Sequence, residues 1–132
     1  MISFNNLGNL GRLANQMFQY ASLKGIARNR GYEFSIPPVN VFGKRDPMVN
    51  TDEMNIYKVF GLDKKNKVGL IPNQVLMERV HTFDRELFTN CPDNIDIFGY
   101  YQTHKYFEHI EDEIREDFTF DAELVKSCKE FL

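Results

Sequence analysis

GRLANQMFQYASLKGIA, Gly11 to Ala27, joins a glycine-containing loop directly to a helix that is apolar almost all round. Such a junction is how α/β proteins build an anion-binding corner. Glycines adopt backbone angles that other residues resist, and the first helical turn aims unpaired N–H groups at whatever lies in front of the loop. Gly8 and Gly11 are the loop glycines, and the helix is expected to begin near Asn15. Upstream, Met1 to Phe4 reads as a short buried parallel strand. Asn5 to Ala14 reads as a loop in which Asn-Leu-Gly occurs twice, at Asn6 to Gly8 and Asn9 to Gly11. Within the helix Met17, Phe18, Tyr20, Ala21, Leu23, Ile26 and Ala27 leave only a narrow polar face, which fits a helix packed on a sheet and covered elsewhere. Ala21 and Gly25 place small residues one turn apart for close approach.

Outward from that helix, Tyr32 to Ile36 predicts a second strand, ended by Pro37 and Pro38 because proline cannot continue a central ladder. Pro47 to Asp63 holds short helical patterns through Ile56, Val59 and Phe60, and Asp63 to Asn73 is a loop rich in Lys and Asn. Val75 to Phe83 fits a strand or a short amphipathic segment, and Asn90 to Asn94 a turn. Ile95 to Tyr100 predicts a strand leading into a helix with Thr103 as N-cap. On that helix Phe107, Ile110, Ile114 and Phe118 form the apolar stripe, and the run from Glu108 to Asp117 a solvated face. Asp121 then caps a last helix with Leu124, Val125, Cys128, Phe131 and Leu132 along one side.

Composition bounds the partners. With 132 residues, 42% hydrophobic content and 12 Phe, the chain can bury one core and is expected to form a single domain. Its net charge of −3 supplies no basic field for a polyphosphate backbone, so no nucleic-acid partner is expected. The start MISFNNLG lacks the basic and apolar regions of a signal peptide, and no apolar run reaches the roughly 20 residues of a spanning helix. A cytoplasmic location without a transmembrane segment is therefore expected, and the two cysteines, Cys91 and Cys128, are read as reduced thiols.

Ten of the eleven residues from Gly11 to Ala21 match the hallmark Gly-Arg-Leu-Gly-Asn-Gln-Met-Phe-Gln-Tyr-Ala of the α-1,2-fucosyltransferases of glycosyltransferase family 11, which this stretch resembles. A second block, FGYYQTHKYF from Phe98 to Phe107, followed by Ile114-Arg115 and Phe118-Thr119-Phe120, is similar to that family's Gly-Tyr-(Phe/Tyr)-Gln-Ser-x-Lys-Tyr-Phe and Ile-Arg-x-x-Phe-x-Phe blocks. The family's donor-binding His-x-Arg-Arg-Gly-Asp does not occur, and Lys44-Arg45-Asp46, the nearest sequence, falls far too early. The resemblance implies the N-terminal, Rossmann-like half of a two-domain GT-B-type enzyme, with the C-terminal donor-binding domain absent. It implies inverting transfer of fucose from GDP-fucose to the 2-hydroxyl of a galactoside, with no metal and no other cofactor. The implied partners are a nucleotide sugar and a glycan acceptor, with a homodimer or docking to the missing half as the protein contact.

Each candidate residue has a plain reading beside the functional one. From the residues alone Arg12 is a loop arginine, Asn15 a helix-capping asparagine and Gln16 a surface glutamine. The resemblance instead places Asn15 and Arg12 at the reacting groups, with Gly11, Ala14 and Gln16 binding substrate. Ala14 stands where the family has its second glycine, and a positive φ there would cost on the order of 1 kcal/mol. Gln102 follows a strand and precedes a helix, where α/β proteins place ligand contacts, although a capping role is equally in keeping. His104 and His109 lie five apart and do not share a helix face, which argues against a metal site. His81 with Asp84 is a weak acid/base pairing. Gly8, Gly11 and Ala14 with Glu33 also make a degenerate dinucleotide fingerprint, at the wrong spacing. A non-catalytic glycan- or partner-binding module is the alternative function.

Overall fold

The computed structural model describes residues 1–38, 55–70 and 74–131, with the side chain of residue 131 left aside. Four short strands, β1 (Ile2–Ser3), β2 (Phe34–Ser35), β3 (Gln74–Met77) and β4 (Ile95–Phe98), form one parallel sheet in the order β2-β1-β4-β3. Ile2 pairs with both Phe34 and Ile95, and Ser3 with Ser35 and Asp96. Alternation along each strand therefore sends Phe34, Ile2 and Ile95 to one face and Ser35, Ser3 and Asp96 to the other. The first face meets α1 (Leu13–Arg30), where Tyr20 contacts the Phe34 ring edge-on at 6.1 Å.

Parallel neighbours need a crossover. α1 connects β1 to β2, and α4 (Arg85–Asn90) connects β3 to β4. Both connections cross the sheet in the same sense, so a uniform right hand puts both helices on one face, and they pack together there. The C-terminal end of α1 is tied down by Asn29 donating to the Phe88 carbonyl at 2.8 Å and Arg30 donating to the Thr89 carbonyl at 3.0 Å. Gly31, at φ 71°, ends the helix and donates to the Ala27 and Arg28 carbonyls.

The α/β class and the strand-loop-helix-strand opening agree with the sequence, with α1 starting at Leu13 and ten of its residues buried. Three elements differ. α2 (Ile56–Phe60) lies on the expected pattern, but α3 (Leu62–Lys65) replaces the start of the expected loop. Residues 66–70 do run as a connection and touch the sheet edge by a parallel bridge between Val68 and Ile36. α4 was not anticipated: its six residues are too short to display a period, and its signal is Asp84, which accepts from the Leu87 N–H at 3.2 Å. The long helix expected after Thr103 is broken into two 3₁₀ turns, His104–Tyr106 and Glu108–Ile110, before α5 (Glu111–Asp117). Tyr106 is the reason. It turns fully inward, and its hydroxyl accepts from the Asp84 N–H at 2.8 Å, which a helix continuous with α5 would not allow. Asp121 caps α6 (Ala122–Phe131) as expected, with only Leu124 of that helix packed on the core. Lys44-Arg45-Asp46, the part of the middle segment from Pro47 to Met54, Ile71 to Asn73 and Leu132 lie outside the described residues.

Candidate functional site

β1 and β4 are the two central strands, and the chain leaves both of their carboxyl ends toward the same side of the sheet, where open α/β folds bind ligands. After β1 comes the loop from Asn5 to Arg12; after β4 comes the connection from Gly99 to Thr103. Gln102 and Asn15, one from each conserved-looking block, meet across this gap: Gln102 Nε2 donates to Asn15 Oδ1 at 2.5 Å.

The loop is fastened at four points by buried polar side chains. Asp96 Oδ1 accepts from the Asn5 N–H at 2.6 Å, and Asn55 Nδ2 donates to the Gly8 carbonyl at 3.1 Å. Gln19 and Gln16 donate to the Leu10 and Gly11 carbonyls, each at 3.0 Å. Both Asn-Leu-Gly repeats end in a left-handed glycine, Gly8 at φ 82° and Gly11 at φ 77°. Space as well as angle forbids a larger residue at Gly11, because a Cβ there would stand 2.6 Å from Asn15 Nδ2. The loop therefore presses directly on Asn15.

Arg12 is the N-cap position of α1, exposed and extended, and no side chain caps the helix. The first intrahelical bond runs from the Gln16 N–H to the Arg12 carbonyl at 2.9 Å, so the N–H groups of Leu13, Ala14 and Asn15 precede it. The first turn also lacks an acidic residue, which leaves the positive end of an 18-residue helix uncompensated beside an arginine. Asn15 is thus not the cap that its residue type suggests. Ala14 sits in helical conformation on the first turn and carries no positive φ, so the missing second glycine costs nothing.

Gln16 corrects the surface reading: it is fully buried, and its amide donates to Gly11 and accepts from the Ile56 N–H at 3.0 Å. It shapes the loop from behind. Asn55, Gln19 and Asp96 do the same work and were not singled out from sequence, where a signal existed only for Gln19, three residues after Gln16 on one helix face. Gln19 Oε1 is the one buried side-chain oxygen without a hydrogen-bond partner among the described residues. Burial pushes the Asp96 carboxyl above its usual range, opposed by its bonds from Asn5 and Ser3.

The connection bearing Gln102 is held as firmly. Tyr101 adopts φ 50°, a left-handed conformation that a bulky side chain resists, and this kink precedes Gln102 directly. Glu78 accepts from the Tyr100 N–H at 3.1 Å and the Tyr101 N–H at 3.0 Å, while Ser22 Oγ donates to the Tyr101 carbonyl at 3.2 Å.

The remaining candidates find structural roles. Asp84 forms a bidentate pair with Arg79, 2.9–3.1 Å, which helps hold its carboxyl below the usual range against a desolvation that raises it, and it does not pair with His81. His104 meets Glu108 at 3.3 Å, and His109 meets the Gly25 carbonyl at 3.1 Å. Glu33 precedes β2, at the opposite end of that strand from the loop, so the dinucleotide fingerprint fails on geometry. The acidic run is not wholly solvated. Asp117 receives the nearly buried Lys24 ammonium at 2.6 Å and the Tyr20 hydroxyl at 2.8 Å, pinning α5 to α1. Cys91 is buried with its thiol pushed up to about 11, and Cys128 is exposed; neither is bridged. Among the described residues no group of three or more His, Cys, Asp or Glu is placed to hold a metal ion, and no helix is long and apolar enough to cross a membrane.

No family model, curated protein or solved structure matches this chain.

Proposed function

We propose that this chain forms the N-terminal, Rossmann-like half of a GT-B-type α-1,2-fucosyltransferase, acting from the cytoplasm. The observation that carries the reading is the hydrogen bond between Asn15 and Gln102, which joins the two blocks resembling glycosyltransferase family 11 at the carboxyl ends of adjacent central strands. In the proposed reaction the acceptor 2-hydroxyl attacks the fucose anomeric carbon as the bond to GDP breaks, inverting that centre. The hydroxyl proton passes to a base, and negative charge collects on the departing diphosphate. Arg12 and the N–H groups of Leu13, Ala14 and Asn15 are the donors available to that charge. Asn15 and Gln102 orient sugar hydroxyls, with Gln16 and Gly11 setting the loop behind them.

No Arg-Arg pair is present in the 132 residues, so the developing charge meets a single arginine here. Turnover of GDP-fucose by these residues alone is accordingly expected to be weak or nil. The same observation favours, as second reading, a glycan- or partner-binding module built on this scaffold. Calorimetric titration with GDP-fucose and GDP, beside Asn15→Ala, tests both. Binding lost in the variant supports donor contacts at this corner, whereas unchanged binding removes Asn15 from the site. Robust fucose transfer by the isolated chain would sink the expectation of an inactive half.

A further inference from the structure

An apolar cavity of about 300 Å³ opens on the side of α1 that faces away from the sheet. Ala14, Phe18 and Ala21 line it from α1, Phe107 from the segment between the 3₁₀ turns, and Phe118 from the end of α5. Every lining residue is apolar. Two alanines on one helix stripe create the hollow, and the Phe18 and Phe107 rings, 6.1 Å apart and inclined at 61°, form a wall. A cavity of about 150 Å³ with apolar walls takes a benzene ring and rejects water, so this one holds a six-membered ring with a short linker. Its far wall is fixed by the Lys24–Asp117 pair between α1 and α5.

The cavity is continuous with the polar corner through two elements. Ala14 precedes Asn15 on the first turn of α1, and Gln102 and Phe107 belong to the same connection after β4. We propose that this cavity receives a ring-sized apolar group attached to the sugar held at Asn15 and Gln102, so that the natural acceptor is an amphiphilic glycoside with an apolar or aromatic aglycone. This assignment rests on the galactoside reading of the corner. It separates the two parts of the ligand by chemistry: hydroxyls to the amides, apolar ring to the phenylalanines.

The test measures binding of methyl β-galactoside, phenyl β-galactoside and benzyl alcohol to the 132-residue chain, its Ala14→Leu variant, which fills the cavity, and its Phe18→Ser variant, which removes a wall. Burying a phenyl ring predicts at least tenfold tighter binding of the phenyl than the methyl galactoside. Both variants are expected to bring that ratio to about one while methyl galactoside still binds. Equal affinity of the unaltered chain for the two galactosides overturns the cavity assignment and leaves the corner standing. Benzyl alcohol binding that Ala14→Leu abolishes, with no response to either sugar, overturns the galactoside reading and this assignment with it. Absence of binding by all three probes overturns it as well, as does a concentration-dependent dimer that Ala14→Leu dissolves, since a second copy would then occupy the cavity.

Discussion

Gly25→Ala sets two effects of opposite sign against each other, and their sizes decide the outcome. Replacing a mid-helix glycine with alanine ordinarily gains about 1 kcal/mol of helix propensity. In α1, however, a Cβ on Gly25 would lie 1.9 Å from the Tyr106 carbonyl oxygen, 2.8 Å from its carbon and 2.9 Å from Phe107 Cα. All three are backbone atoms, so no rotamer relieves the clash. Carbon and oxygen settle at about 3.3 Å or more, and the 3₁₀ turn must therefore withdraw from the helix by more than about 1 Å. Such overpacking costs about 1–3 kcal/mol, and displacement of Tyr106 adds about 1 kcal/mol by loosening the bond its hydroxyl accepts from Asp84. Offset by propensity, the net loss is about 2 kcal/mol, which lowers a urea midpoint by about 1 M for a chain of this size. Gly69→Ala is the control, because its Cβ meets nothing within 4 Å. That variant should hold or slightly raise the midpoint. A Gly25→Ala midpoint at or above the unaltered chain would refute the close approach, and so would an equal fall in Gly69→Ala.

Two further outcomes follow from the buried polar groups that hold the loop. Gln16→Leu keeps the volume but leaves the Ile56 N–H and the Gly11 carbonyl without their partner, a loss of about 2–4 kcal/mol at about 1–3 per stranded group, read as a fall in denaturant midpoint with faster proteolytic cleavage in residues 5–12. Asp96 is raised in the folded state, so its contribution to stability is complete below the ordinary carboxylate value of 3.8 and is lost as pH rises through the higher folded value. Asp96→Asn removes that loss. Denaturation across pH 3 to 8 should show the variant gaining on the unaltered chain just above the ordinary value and then holding a constant lead, whereas a pH-independent difference would mean that Asp96 is not desolvated in the way the geometry implies.

What the sequence shows of this fold depends on how local its causes are. α1 was legible because 18 residues carry their own period, and the two Asn-Leu-Gly repeats because a left-handed turn asks for glycine at one position. α4 was not, since six residues express no period and their stability comes from Asp84, Tyr106 and packing on α1. The break after Thr103 was hidden for the same reason. Its stripe of Phe107, Ile110, Ile114 and Phe118 is a sound helical pattern, and only the tertiary contact of Tyr106 with Gly25 overrides it. At the site, the residue types facing the gap were readable, and the residues behind it were not. Asn15, Arg12 and Gln102 stand in stretches with a recognisable pattern, whereas Asn55 and Asp96 reach the loop from 47 and 91 residues away in sequence.

That division has a consequence for how the corner works. A loop of eight residues with two left-handed glycines has much conformational entropy to lose, about 1–2 kcal/mol per residue fixed, and ligand binding would bear that cost if nothing else did. Four side-chain bonds to Asn5, Gly8, Leu10 and Gly11 fix the loop during folding instead. The strained Tyr101 and the Glu78 carboxylate do the same for the segment carrying Gln102. The Asn15–Gln102 contact is therefore the meeting of two rigid pieces, not of two free side chains. A ligand hydroxyl that replaces one partner of this bond loses no backbone order in doing so. For this reason substitutions behind the loop, such as Gln16→Leu, should weaken binding through a less ordered free state even though Gln16 faces away from the gap.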